Sequence, residues 1–431
     1  MHGDSTTYPA LFRIPSFPRL ATGVMLARTA SQMMQLALVL FVLQRFHSPV
    51  LAGVTIFLAT APGILVSPLA GALLDRHGRV RLITLDYLVC AATLGAIVLL
   101  DLANILTPVV LLPIVTVGAL TYSLSNSGAR SLLPLMVPNA LWDRANALDS
   151  IAYAVTIGGG PALAGGLSAW SGSRLALGST AVIYLAAAIF MARLPEPVVG
   201  RRSGSVWLEA WAGLVYVAVR NASLRGIALM VSILNVGVGM LAIALPLMVF
   251  DRLHGNAALV GGLWAIYGFA SVPSALVAGR FDTEDKERLV MGLCMLITAA
   301  GVAILLVANT AWVAALALLI AGLANGPFDV AMFSMRQRRT DPAWYGRAFA
   351  VSMGLNWAGQ PVGSAIAGPL IQLGLTVTFA VSTALIVAGT AIVPWVIPAE
   401  VRGTIPAESA RQSRRDRPVE ESPSSAEQGA G

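Results

Sequence analysis

Apolar residues run along this chain in long blocks, each ending at a short cluster of Arg, Asp, Asn, Gly or Pro. Twelve blocks approach the roughly 20 residues that a helix needs to cross about 30 Å of hydrocarbon. They fall at 20–44, 50–74, 80–101, 107–129, 144–170, 174–194, 224–250, 257–280, 287–308, 311–334, 345–372 and 374–398. Hydrocarbon offers an open backbone no hydrogen-bond partner, so the blocks are predicted to be helices. The fifth and eleventh are rich in Gly and Pro, and only Gly374 divides the last two. The pattern predicts an all-α membrane protein of twelve transmembrane helices.

The polar connections orient these helices. With the N-terminus inside, the inner segments carry 24 Arg and Lys residues and the outer ones three, Arg45, Arg174 and Arg252. Positive charge is retained on the cytoplasmic side, so both termini are expected there, in a cell membrane. Residues 1–19 lack the basic region, short apolar core and small-residue site of a cleaved signal peptide. The longest internal connection begins PEPVVGRRSGS and continues as an amphipathic stretch, Val206 to Val219, with Trp207, Trp211 and Tyr216, suited to a membrane surface. It divides the chain into a six-helix bundle at 1–194, a linker at 195–223 and a second six-helix bundle at 224–398. The tail, 399–431, is rich in Ser, Glu, Arg and Pro and is expected to be disordered.

Composition agrees. Charged residues are 11% of the chain, against roughly 25% in soluble domains. The net charge is +7, but its basic residues sit in short loops, so nucleic acid is not an expected partner. Cys90 and Cys294 lie inside apolar blocks, the four His residues are scattered, and there is no GxxxxGK[ST] motif. Neither enzyme chemistry, a metal, a cofactor nor ATP hydrolysis is expected.

The halves repeat. The polar loop GALLDRHGRVR, Gly71 to Arg81, returns in degraded form as AGRFDTEDKER, Ala278 to Arg288. The fifth block holds GGGPALAGG and the eleventh GQPVGSAIAG. Paired Gly/Pro-interrupted helices in two halves point to transporters. With Gly71, Asp75, Arg76, Gly78, Arg79 and Arg81 in the loop after the second span, the chain resembles the major facilitator superfamily. The segments ARSLLPLMVPNALWDRANALDS, NGPFDVAMFSMRQRRTDPAWYGRAFAV and GQPVGSAIAGPL look like its drug:proton antiporters, the group with macrolide-efflux and enterobactin-export proteins. The resemblance implies a monomer with a central cavity between its bundles. It also implies export of an amphipathic small molecule for protons. A metabolite uniporter or importer, or a transport-inactive receptor on the same fold, are the alternatives. Asp75 is implied to meet the amides of the eleventh span and Arg130, latching the inner ends together. The group often carries Gly-Asp in its first span, where this chain has Ala30 and Ser31.

Charged groups within spans are functional candidates by default. Arg28 lies about 12 Å along its helix from Leu20 and reads as an anion contact, the partner of an acid, or a side chain snorkelling to the surface. Arg28, Gln32 and Gln35 share one helix face and are expected to line the cavity. Asp149 and Asp329 are candidate proton sites, or interfacial carboxylates paired with Arg144 or Arg336. Asp86 is expected at the interface. Asn235, Asn325, Asn356 and Gln360 are candidate substrate contacts, with Trp264, Tyr267 and Trp357 as stacking groups. Asp75→Asn is predicted to impair transport while leaving membrane insertion intact, measured as flux per inserted molecule in vesicles. Full activity would remove the latch.

Overall fold

The structure is a computed structural model and describes residues 8–138, 141–197, 206–281, 283–341 and 344–398. The tail from 399 and residues 198–205 of the linker lie outside these. The regular structure among the described residues is helical. A short α1 (Tyr8–Phe12) leads into α2 (Phe17–Phe46), α3 (Pro49–His77), α4 (Arg79–Leu102), α5 (Pro108–Met136), α6 (Trp142–Ser171) and α7 (Ser173–Ala192). The linker helix is α8 (Val206–Val215). The second set is α9 (Ala222–Leu247), α10 (Ala257–Ala278), α11 (Glu287–Ile304), α12 (Ala311–Arg338), α13 (Tyr345–Trp357), α14 (Gly359–Leu373), α15 (Leu375–Ala391) and α16 (Val393–Val396).

Ten of these, α2–α7 and α9–α12, are long and apolar enough to cross a membrane. The other two spans are interrupted. The eleventh is broken at Ala358 into α13 and α14, because Pro361 has no amide to continue the helical ladder. The twelfth is α15, followed by the single turn α16. Local chemistry sets the other ends. Pro49 and Pro108 start helices where no amide is needed. Ser48, Asn221, Asn256 and Thr310 cap helices by accepting an amide three residues on. Gly172 and Gly374 turn the chain at φ 85° and 128° and hold equivalent places, before α7 and before α15.

The packing repeats too. In the first set, α2 lies on α6 and α7, α3 on α5, and α4 on α5 and α7. In the second, α9 lies on α14 and α15, α10 on α12, and α11 on α12 and α15. The sets meet along α3 with α13 and α14, and along α6 with α10. At α6–α10 the backbones touch. A Cβ added at Gly165 would lie 2.8 Å from the Gly261 Cα, and one at Gly268 the same distance from the Gly158 Cα. Small residues permit that approach. The Gly165–Gly261 contact lies toward the arginine-poor end of the helices and the Gly158–Gly268 contact near their middle, while Gly53 on α3 approaches the Ser364 carbonyl of α14 toward the arginine-poor end. Farther along α3 the fit opens, where a Cβ at Gly354 would be 3.9 Å from the Ser67 hydroxyl.

The three arginines of the arginine-poor end all tie helix ends together. Arg45 after α2's apolar core and Arg174 at the start of α7 both bind Asp101 near the end of α4, at 2.8 and 2.7 Å. In the second set Arg252 takes the carbonyls of Leu305 and Leu306 beyond α11, each at 3.1 Å, and Thr376 of α15. Equivalent helices are joined, once by a carboxylate and once by helix-end carbonyls.

The linker differs from its expected form. Its helix is α-helical to Val215 and then widens into a π turn over Tyr216–Arg220. Leu208 and Trp211 are exposed, as a membrane-surface helix would have them. The π turn instead docks on the second set. The Tyr216 ring stacks on Trp344 at 4.8 Å, its hydroxyl accepts from the Asp341 amide, and Asn221 donates to the Arg339 carbonyl at 2.7 Å.

Asp101 is 1% exposed, while Arg45 and Arg174 are 40% and 48% exposed. Replacing both arginines with Ala strands a buried carboxylate and is expected to cost about 3–5 kcal/mol. Asp101→Asn leaves only exposed cations and is expected to cost less. Thermal unfolding in detergent orders the two variants.

Candidate functional site

In the first half the site starts on α2. Arg28 does not snorkel. It binds Asp149 of α6 through two contacts, Nη1 to Oδ1 at 2.7 Å and Nη2 to Oδ2 at 3.0 Å. Nη1 also reaches the Asp149 carbonyl at 3.3 Å, and the guanidinium lies over the Tyr153 ring, 5.4 Å from its centre. Tyr153 is four residues beyond Asp149, hence on the same face of α6. Asp149 therefore pairs across helices with Arg28, not with Arg144. The planar bidentate geometry suits Arg to a carboxylate. Gln32, one turn on, packs against α6, where its Cβ fills the space beside Gly160. Gln35 accepts a bond from Gln360 of α14 at 3.4 Å. That contact joins the two halves.

In the second half the site is one face of α12. Asn325, Asp329 and Arg336 follow at i, i+4 and i+11, close to three full helical turns. The Asn325 amide donates to Asp329 at 3.3 Å, and its oxygen accepts from the Tyr267 hydroxyl of α10 at 3.0 Å. Trp264 packs edge-on against Tyr267 at 5.9 Å. The two aromatics also line a small apolar pocket with Val238, Leu241, Leu305 and Leu318. Arg336, counted above among the inner-loop cations, is instead 1% exposed within the bundle. Its Nη1 lies 2.7 Å from the Met353 sulfur and its guanidinium over Phe333. With its amide turned to suit the hydrogen-bond network, Asn356 accepts from Arg336 at 2.5 Å and donates to the Ser352 carbonyl. Asn235 of α9 donates to the Asn356 carbonyl at 2.8 Å. Trp357 is half-exposed.

The signature loop is a sharp turn between α3 and α4, with Gly78 at φ 94°. Arg79 opens α4 and donates to the Ser131 carbonyl of α5 at 2.9 Å. A carboxylate does dock on a helix N-terminus here, but it is Glu196. It accepts the amides of Arg79, Val80 and Arg81 at the start of α4, where unpaired amides and the helix dipole favour an anion. Arg76 and Arg81 are exposed. Gly71 sits within α3 and Arg130 within α5, while the side chains of Asp75 and Arg130 lie outside the described residues. In the degraded copy, Glu287 is 2% exposed and pairs with Arg338 at the end of α12.

Asp86 departs from its expected place. It is fully buried within the first bundle, where an exposed carboxylate was expected. No group of three or more His, Cys, Asp or Glu is placed to hold a metal among the described residues, and both cysteines are buried and unpaired.

The family model for transmembrane secretion effectors matches residues 6–421. The chain belongs to this family of the major facilitator superfamily. A relative from Sinorhizobium fredii, described as an uncharacterized MFS-type transporter, is 37% identical over 376 residues, covering 86% of this chain and 93% of its own. The fold recurs in solved members of the superfamily. The nucleoside transporter NupG aligns with a TM-score of 0.73 at 12% identity, over 88% of this chain and 99% of its own. A D-xylose–proton symporter aligns at 0.67 and 15% identity, over 90% and 98%. Family and fold together make this chain a membrane transporter with twelve transmembrane helices.

Removing one member of the Arg28–Asp149 pair leaves an unmatched charge inside the bundle. Arg28→Gln combined with Asp149→Asn is predicted to be more stable than either single variant. The coupling is expected at about 0.5–3 kcal/mol, the range for residues in contact. Unfolding in detergent measures it, and additive single effects would dissolve the pair.

Proposed function

We propose that this transporter exports an amphipathic small molecule in exchange for protons, by alternating access between its two halves. The observation that carries the reading is a polar site divided between them. The first half offers Arg28, Asp149 and Gln35. The second offers Asn325, Asp329 and Gln360, with the Tyr267 hydroxyl bound to Asn325.

Arginine counts support placing the arginine-rich end in the cytoplasm. The Gly165–Gly261 contact of α6 with α10 then closes the outer end, and the site faces inward. For the proton, Asp329 is favoured over Asp149. Asp329 hydrogen-bonds a neutral amide, whereas Asp149 is already held by a guanidinium. The loop from Gly71 to Arg81 is read as the inner latch of the opposite state. Its Asp75 and Arg130 would engage when the inner ends close.

Ser31, in place of a first-span acid, favours a second reading, facilitated movement without a coupling ion. Inverted membrane vesicles separate the two. With an acid lumen, exchange is expected to drive accumulation of amphipathic dyes and drugs, and Asp329→Asn to reduce it to background. Accumulation indifferent to the gradient would leave only the uncoupled reading.

A further inference from the structure

Asp86 lies on α4, two turns into the helix, and its side chain is sealed. Hydrogen bonding at this carboxyl is lopsided. Oδ1 receives the Cys90 thiol at 3.7 Å, a weak donor. Oδ2 is buried and has no hydrogen-bond partner. The hydroxyls of Thr121 and Ser125 on α5 stand beside the group. Each has a single proton, and each spends it on a main-chain carbonyl, Thr121 on Gly118 at 3.2 Å and Ser125 on Tyr122 at 3.3 Å. An ionised carboxylate can only accept, whereas a protonated one carries an O–H donor, and the sealed Oδ2 has no donor from which to accept.

No cation answers the group. The described ion pairs of the first half engage Arg28 with Asp149, and Arg45 and Arg174 with Asp101. The titratable side chains around Asp86 are otherwise neutral. Tyr87 and Cys90 come from α4 itself, Tyr122 from α5 and Tyr184 from α7. On α2, Ser31 lies against the Tyr122 and Tyr184 hydroxyls. Arg28, one turn earlier on α2, is the nearest cation in sequence to that contact and is already committed to Asp149. The membrane portion of α3, Pro49 to Leu74, has no titratable residue. A buried, unpaired charge is expensive, and neutralisation by a proton removes the cost.

We infer that Asp86 is a proton-binding site of the first half, its sealed carboxyl carrying a proton where no cation stands to pair with it. Its proton leaves only when α4 and α5 part enough to admit water. Use of that proton in the cycle rests on the exchange reading above, whereas binding of the proton does not. The protein in lipid vesicles at neutral pH is expected to show an infrared carbonyl band of a protonated carboxyl. Asp86→Asn removes this component and Asp149→Asn leaves it. The Asn side chain has the shape of the protonated acid, so the variant is expected to unfold at the wild-type temperature. A spectrum of Asp86→Asn identical to wild type overturns the site. Wild-type transport indifferent to a proton gradient would end its role in exchange while the infrared component stood.

Discussion

A charge in hydrocarbon must be answered inside the protein, and the helices are arranged around the answers. Arg28 and Asp149 fix the rotation of α2 against α6, since two parallel hydrogen bonds tolerate little turning. Asp101 gathers the ends of three helices. Glu287 and Arg338 do the same for α11 and α12 at the opposite end. Arg336 is surrounded by a sulfur, an aromatic face and an amide. Each of these is costly to break singly, so the polar groups specify helix placement more than they add net stability.

Between the halves the chemistry changes. Along α6 and α10 the closest contacts are main chain against main chain, with glycine on both sides. Such contacts are held by dispersion, which fades within an ångström or so of separation. Within each half, by contrast, side-chain hydrogen bonds cross from helix to helix. The division suits a machine whose halves move as bodies, since directional bonds lie mostly inside the bodies and non-directional ones at the seam.

Much of the fold was legible because a hydrocarbon environment forces long apolar blocks, and the number of blocks survives errors at their ends. The break in the eleventh span was written in Gly359-Gln360-Pro361. Pairings were harder to read. Arg28 and Asp149 are 121 residues apart, and nothing local in either span names the other. Arg336 was misplaced because it opens a run of loop-like basic residues, Arg336, Arg338 and Arg339. Its spacing of seven from Asp329 was the overlooked signal, since residues seven apart share a helix face. Asp86 was placed by depth alone. Depth suggested an interface, but the face it occupies on α4 turns inward, toward Thr121, Ser125 and Cys90. The docking of the linker on Trp344 had no sequence signal beyond an aromatic residue on each side.

The break at Ala358 has a mechanical meaning. A continuous helix transmits motion along its whole length, so opening one end of a seam levers the other. The eleventh span is instead jointed at mid-membrane, with α14 seated against α3 near Gly53 and α13 lying beside Ser67. The amide of Ala358 reaches back only three residues, to Leu355, and Pro361 offers none. The two segments therefore meet their neighbours separately, α14 against α3 and α9, and α13 against α9 and α12 through Asn356 and Met353.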